Sequence, residues 1–272
     1  MEPYRVLSWG AGLQSTVLGE MSARGDLPRL DAIIHADTGW ERAATIEMRD
    51  FYAARWRAMG MQVEIISGGN VRQEGAEAHL HIPFWTDTGA PMRRQCTRHF
   101  KIDPIRRLVR ELLGYDARRP PHPEPGAVEL WMGITMDEWT RAKASRIKYM
   151  VHSFPLLGLK MYREDCGPWL VERDLPVPVK SACVGCPYRR ASEWLEMRDQ
   201  SPQEFSDAVE FDEQNRNNPL AERDGSNADE LYIWREAEPL ATADLENAAL
   251  RERRIYADQM PMFACEGGYC GV

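Results

Sequence analysis

Residues 4–16 read Tyr4-Arg5-Val6-Leu7-Ser8-Trp9-Gly10-Ala11-Gly12-Leu13-Gln14-Ser15-Thr16. Val6 and Leu7 end a short apolar run of strand type. Ser8, Gly10 and Gly12 make a small-residue turn, and from Leu13 the apolar positions Leu13, Val17, Leu18 and Met21 recur at helical spacing. The stretch is a strand, a tight turn and a helix N-terminus. Such a junction offers unpaired backbone N–H groups and the positive end of a helix dipole to an anion. Small residues let the main chain approach a phosphate closely. Ser8, Ser15 and Thr16 add hydroxyl donors, with Gln14 between them. A glycine pair after a strand is also the ordinary sequence of a tight turn. No Lys follows Gly12 at the Walker A place, and Ser15 stands where the third glycine of the dinucleotide pattern belongs.

Working outward, residues 30–36 have a buried-strand pattern and run into Asp37-Thr38-Gly39. Residues 40–59 read as a helix and 61–66 as a third strand. Strands and helices alternating at this spacing predict an α/β fold with a doubly wound, mainly parallel sheet. Ligands of such sheets bind beyond the C-terminal strand ends, where residues 8–12 and Asp37 fall. Asp37-Thr38-Gly39 is equally the sequence of a helix cap with a turn. Residues 67–92 hold Gly, Pro and Trp without periodicity and are expected to form a mobile active-site loop. A helix ends near Leu113, a Pro-rich surface link occupies 115–126, and 128–132 is another strand. Gly133-Ile134-Thr135-Met136-Asp137-Glu138-Trp139-Thr140-Arg141-Ala142 follows it on the ligand side. Residues 149–156 close the strand series. Beyond 157 the texture is helical, at 157–172, 189–216 and near 241–255. The expected division is a nucleotide-binding α/β domain at 1–156 and a helical, cysteine-bearing C-terminal region at 157–272.

The 272 residues are 43% hydrophobic and 28% charged, as in a soluble globular protein. No apolar run approaches the roughly 20 residues of a membrane span, and no leader pattern is visible at the N-terminus. A cytoplasmic location without a membrane partner is expected. In a reducing compartment the six cysteines are metal ligands, catalytic thiols or buried residues rather than disulfides. The net charge of −8 argues against nucleic acid as a partner, but it is unevenly spread. Residues 193–258 carry 18 acidic and 7 basic side chains, which leaves the rest at +3. Seven basic residues and one acidic residue lie between Arg93 and Arg110. The N-terminal two thirds therefore suits an anionic substrate.

Cys183-Val184-Gly185-Cys186-Pro187 is a Cys-x-x-Cys turn, either half of a metal or Fe–S site or a redox dithiol. A four-thiolate site needs two more ligands. Cys96 and Cys166 are the candidates, each of which also reads as a small buried hydrophobe. The tail Cys265-Glu266-Gly267-Gly268-Tyr269-Cys270 is a glycine-rich thiol segment. Its thiols read as a nucleophile, as metal ligands, as a regulatory disulfide or as none of these.

In order, Gly-x-Gly-x-x-Ser-Thr, Asp-Thr-Gly, Cys-x-Arg-x-x-Lys-x-x-Pro, Gly-Ile-x-x-Asp-Glu-x-x-Arg and Cys-x-x-Cys-Pro resemble the phosphoadenosine phosphosulfate reductase-like and ATP pyrophosphatase (PP-loop) proteins. These belong to the adenine nucleotide α-hydrolase superfamily, and the resemblance spans about residues 5–190. Aligned on Gly12 and Ser15, Gly10 takes the place of the family's first Ser and Ala11 that of its first Gly. The resemblance implies an enzyme with ATP or an adenylylsulfate-type nucleotide on Ser8, Gly10, Gly12, Gln14, Ser15 and Thr16. Asp37, Thr38 and Gly39 would lie about the adenosine, with Gly133 also at the nucleotide. Arg98, Lys101 and Arg141 would neutralise phosphate charge, with Mg²⁺.

The resemblance also implies sulfur chemistry. Reductases of the adenylylsulfate type hold a [4Fe–4S] cluster on a Cys-Cys pair and a later Cys-x-x-Cys. Here Cys183 lies 87 residues after Cys96, but Gln95 replaces the other member of the pair. The implied quartet is Cys96, Cys166, Cys183 and Cys186, with Zn²⁺ as the alternative. Cys265 stands near the place of the reductases' C-terminal nucleophile. The first implied activity is cleavage of ATP at the α-phosphate to adenylate an acceptor, in sulfur metabolism or thio-modification, with a sulfur-donor protein or a nucleic acid as partner. The second is sulfonucleotide reduction through Cys265, with a separate thioredoxin. The third is a non-catalytic nucleotide or metal sensor.

Overall fold

A computed structural model describes residues 2–77, 80–223 and 228–258. Five strands form one parallel sheet: β1 (Tyr4–Ser8), β2 (Ala32–Asp37), β3 (Val63–Ser67), and, after a two-residue strand β4 (Trp85–Thr86), β5 (Val128–Trp131) and β6 (Met150–Ser153). Their order is β3-β2-β1-β5-β6. Val6 pairs with Ala32 on one side and Leu130 on the other, which makes β1 the central strand. The chain turns from building one side of β1 to building the other between β1 and β5. Ligand crevices of open α/β sheets sit beyond the strand ends at such a reversal.

Strand alternation sends Leu7, Ile33 and Trp131 to one face of the sheet and Val6, Ala32, Ile34, Val128 and Leu130 to the other. The first face is covered by α1 (Leu13–Arg24) and α2 (Ala43–Ala58). After two short helices, α3 (Val71–Glu74) and, near the second face, α4 (Asp103–Leu112), come α5 (Pro155–Gly158) and α6 (Arg163–Val171). Cys166 and Leu170 of α6, with Leu156 and Leu175, share the apolar cluster of Leu18 and Trp56. Ile105 and Val109 of α4 close the second face. Gly19 is required where α1 crosses α2, because a Cβ there would lie 2.6 Å from the Trp56 ring.

The rest of the chain forms α7 (Ala191–Gln200), α8 (Pro202–Gln214), α9 (Leu220–Arg223), β7 (Leu231–Tyr232) and α10 (Leu245–Asp258). Its core is shared with residues 71–100: Leu80, Ile82, Phe84 and Phe100 pack with Trp194, Phe211, Ile233 and Trp234. β4 pairs antiparallel with β7. This corrects the expectation of a mobile loop over 67–92. Its apolar residues are buried against the C-terminal helices, which lack of periodicity could not reveal. Buried Asp212 accepts from the Ile233 and Leu240 amides and from Arg216, and so pins the irregular strand region to α8. Part of the acidic surplus of 193–258 is paired with basic residues of the sheet domain. Glu204 and Glu196 take Arg42, and Asp207 and Glu210 take Arg72. No helix among the described residues is long and apolar enough to cross a membrane.

Glu20 shows how the first face is held. Its carboxylate is fully buried, accepts from Arg55 Nη2 at 2.8 Å, and accepts from the Trp56 indole at 2.9 Å. Arg55 is part-exposed and water replaces its partner, but the indole N–H stays dry. Glu20→Ala is therefore expected to lower unfolding free energy by about 2 kcal/mol, read from urea denaturation. A loss below a few tenths would show that the carboxylate is not a structural acceptor.

Candidate functional site

The crevice at the reversal holds a pocket lined by the 8–15 turn, by residues 97–106 leading into α4, by 130–143 after β5 and by Lys180-Ser181. α1 begins on Gly12 without a side-chain cap, which leaves its first amides to an anion. The turn gets its shape less from glycine than expected. Ala11 carries the left-handed backbone, φ 54°, while a Cβ on Gly10 would meet nothing within 4 Å. The glycine that the site cannot do without is Gly133. A Cβ there would lie 2.6 Å from Ser15 N and 2.9 Å from the Gln14 carbonyl carbon, so the chain leaving β5 passes directly against the start of α1.

The pocket is cationic. Lys101, Arg106, Arg141, Lys143, Arg163 and Lys180 all line it. Among the described residues that line it, Glu138 is the one carboxylate. It is already engaged, accepting from Arg141 Nη1 at 2.6 Å and from Gln14 Nε2 at 3.2 Å. Arg163 Nη1 donates to Gln14 Oε1 at 3.4 Å, which extends the network to α6. A donor set of one twice-bonded carboxylate does not fit a protein-held Mg²⁺. Burial, with Arg106 acting in the same direction, holds the pocket's His152 below the usual imidazole value.

Of the residues expected about the nucleotide, Ser8, Gly10, Gly12, Gln14, Ser15, Gly133, Lys101 and Arg141 line this pocket. Thr16, Asp37, Thr38, Gly39 and Arg98 do not. Thr16 is buried and accepts from the Trp9 indole. Asp37 Oδ2 lies 2.7 Å from Arg49 Nη1, and its Oδ1 takes the Gly39 amide, so Asp37 and Gly39 form a turn. Arg98 is largely exposed beside Asp103. Arg106, Lys143, Arg163, Lys180 and Ser181 were missed. They lie on four separate segments, and only the topology joins them.

Thr38 faces a second pocket. This one is lined by Cys96, Cys183, Cys186, Arg94 and Tyr188, and it shares Thr97, Lys101 and Ser181 with the first. Thr38 Oγ1 contacts Cys183 Sγ at 3.3 Å. The Cys186 amide donates to the Cys183 carbonyl at 3.2 Å and closes the Cys-x-x-Cys turn. Gly185 sits against Trp40, where a Cβ would come within 2.1 Å of the ring. Arg189 Nη2 donates to the Cys183 carbonyl at 2.8 Å. Burial pushes the Cys183 thiol up to about 12, with Lys101 pulling the other way. Burial also raises Cys96, opposed by Arg94.

Cys166 is not with the other three thiols. It is fully buried under α1, its thiol on the Tyr162 carbonyl at 3.5 Å. Burial and its acidic neighbours push it to about 12. This corrects the expected quartet: α6 carries Cys166 into the sheet core, away from the pocket of the other three. Among the described residues no group of three or more His, Cys, Asp or Glu is arranged to hold a metal ion. A four-thiolate [4Fe–4S] or Zn²⁺ site therefore does not fit them. Cys265 and Cys270 lie outside the described residues.

Glu41 ties the two pockets together. Its Oε1 lies 3.3 Å from Lys101 Nζ, its Oε2 lies 3.2 Å from His35 Nε2, and its backbone bridges to Cys183. Burial raises the carboxyl, but Lys101 and His35 outweigh it and hold the group at about 2. A carboxyl depressed on folding stabilises above its unfolded value and ceases to do so as pH falls through its folded one. Wild type is thus expected to lose stability between pH 4.5 and 2 more steeply than Glu41→Gln, measured by denaturant midpoints. Parallel curves would contradict the pairing.

Residues 5–118 match the phosphoadenosine phosphosulfate reductase domain family. Among solved structures, the phosphoadenylyl-sulfate (PAPS) reductase from Candida auris in its phosphate complex aligns at 13% identity and a TM-score of 0.43, over 65% of this chain and 75% of that one. No curated protein matches.

Proposed function

We propose that this chain, which is phosphoadenosine phosphosulfate reductase-like over residues 5–118, binds an adenylylsulfate-type nucleotide and reduces its sulfate to sulfite, with electrons from dithiols. The observation that carries this reading is the junction of the two pockets. A cation-lined crevice adjoins a pocket lined by three cysteines, with Thr97, Lys101 and Ser181 in the lining of both. The 5′-phosphate sits on the 8–15 turn and the N-terminus of α1. The adjoining sulfate is held by Lys101, beside the thiols. Six cations line the crevice, of which Lys101, Arg141 and Lys180 are paired with Glu41, Glu138 and Glu193, and their net positive field favours the anion. The Gln14–Glu138–Arg141 network fixes the cations on the β5 side and limits reorganisation when charge shifts from sulfate to the leaving phosphate.

The second reading is attack on the α-phosphate of ATP, with adenylation of an acceptor. The Gly10-Ala11-Gly12-x-x-Ser15 turn favours it as much as the first, since both nucleotides place the same phosphate there. It gives the neighbouring thiols no role in the adenylating step. A sulfur-donor protein or nucleic acid acceptor belongs to this reading, and a thioredoxin to the first.

The test is sulfite release from adenylylsulfate and from its 3′-phosphate form with dithiothreitol as reductant, beside pyrophosphate release from ATP. Sulfite is expected with at least one sulfonucleotide. Lys101→Ala is expected to lower kcat/KM at least about tenfold, as for loss of a charged hydrogen bond. Pyrophosphate without sulfite would establish the second reading. Neither product, with nucleotide still bound, would leave a sensor.

A further inference from the structure

We propose that His35 is the positioning residue of the nucleotide site, a single buried imidazole that orients both the phosphate turn and Lys101. His35 lies on β2 and is fully buried. It lines neither pocket, so it acts through its partners. Nδ1 lies 3.0 Å from the Trp9 carbonyl, and Nε2 lies 3.2 Å from Glu41 Oε2. A carbonyl and a carboxylate only accept, so the ring donates in both directions. The two contacts join Trp9, the residue ahead of Gly10, to Glu41, the partner of Lys101.

Trp9 opens the turn and is anchored on three sides. Its amide donates to the Ile34 carbonyl at 2.9 Å, and its indole donates to Thr16 Oγ1 at 3.0 Å. Its carbonyl takes the third bond, from His35. The Trp9–Gly10 peptide is trans and planar, with its C=O and N–H on opposite sides. With the carbonyl drawn to a fully buried ring, the Gly10 N–H is turned the other way, toward the crevice that Gly10 lines. Packing does not hold this peptide, since a Cβ on Gly10 would meet nothing within 4 Å, and glycine leaves the backbone free to rotate. The donation from His35 therefore sets the first amide of the anion seat.

On its other side His35 sets Lys101. Glu41 is buried, and a carboxylate turns easily about its last torsion when nothing holds it. His35 on Oε2 fixes the plane of the group and so the place of Oε1, which takes Lys101 Nζ at 3.3 Å. Lys101 has a long flexible stem and lines both pockets. Its ammonium is thereby held where the crevice adjoins the thiol pocket. The turn arm needs only a phosphate on residues 8–15. The Lys101 arm rests on the reading above, in which Lys101 meets the group beyond that phosphate.

The test is calorimetric titration of the full chain with adenosine monophosphate and with adenosine diphosphate, whose second phosphate stands in for the sulfate and is not reduced. Wild type is expected to bind the diphosphate more tightly. His35→Gln places a side-chain N–H near the Nε2 position, so it keeps Glu41 and releases the Trp9 carbonyl. It is expected to weaken the monophosphate about tenfold, as for loss of a buried hydrogen bond, and to preserve the preference for the diphosphate. His35→Asn places its N–H near the Nδ1 position and releases Glu41 instead. It is expected to keep monophosphate affinity within about twofold and to lose most of the preference, as Lys101→Ala does. A structural role alone would lower the urea midpoint of both variants with no such split. Equal losses in both, or wild-type affinities in both, would overturn the proposal. In wild type, nitrogen NMR should show two slowly exchanging ring N–H groups on His35, the one fully buried histidine among the described residues. A single ring N–H would overturn the proposal even if the variants fail to fold. Absence of sulfite from both sulfonucleotides would remove the reductase reading and leave the His35 result standing. Wild type that binds neither nucleotide would remove both.

Discussion

A carboxylate buried away from water must be paired, and the geometry of its partners is then constrained. Glu41 imposes that constraint here. It leaves the sheet just after β2, meets His35 from that strand, draws in Lys101 from the π-helical turn Arg98–Ile102, and pairs through its backbone with Cys183. Segments 35–41, 98–102 and the Cys183 turn therefore meet at one residue. Lys101, its partner, lines both the cationic crevice and the thiol pocket, as Thr97 and Ser181 do.

The sheet was legible because its strands are short apolar runs separated by helical spacing, and burial on both faces leaves that pattern strong. The phosphate turn was legible for the same reason: a strand ends, small residues follow and a helix begins. The details were not. Gly10 reads as one of the small residues of the turn, yet Ala11 takes the left-handed backbone and Gly133, far away in the chain, makes the close approach. Asp37-Thr38-Gly39 had the right place at a strand end. Arg49 holds Asp37 aside, while Thr38 turns to Cys183. A motif gives the position of a backbone, but a side chain's direction depends on partners that spacing does not encode. Cys166 is the same lesson in reverse: it reads equally as a ligand and as a buried hydrophobe, and its helix buries it against α1.

The C-terminal helices are part of the site's architecture. Residues 71–100 have no periodic pattern because their apolar side chains point at α7, α8 and β7 rather than along one helix or strand face. Trp40, directly before Glu41, packs in that same cluster, and Arg42, directly after, is held by Glu196 and Glu204. The acidic region thus grips the two neighbours of the carboxylate that organises both pockets.

The central claim is that the sulfur-bearing end of the nucleotide meets the wall shared by the two pockets. A crystal structure with adenylylsulfate bound to Cys183→Ser tests it most directly. The account predicts the phosphate on residues 8–15 and the sulfate beside Lys101, Thr97 and Ser181, facing residue 183. A sulfate directed toward Lys143 and His152, at the other end of the crevice, would contradict it.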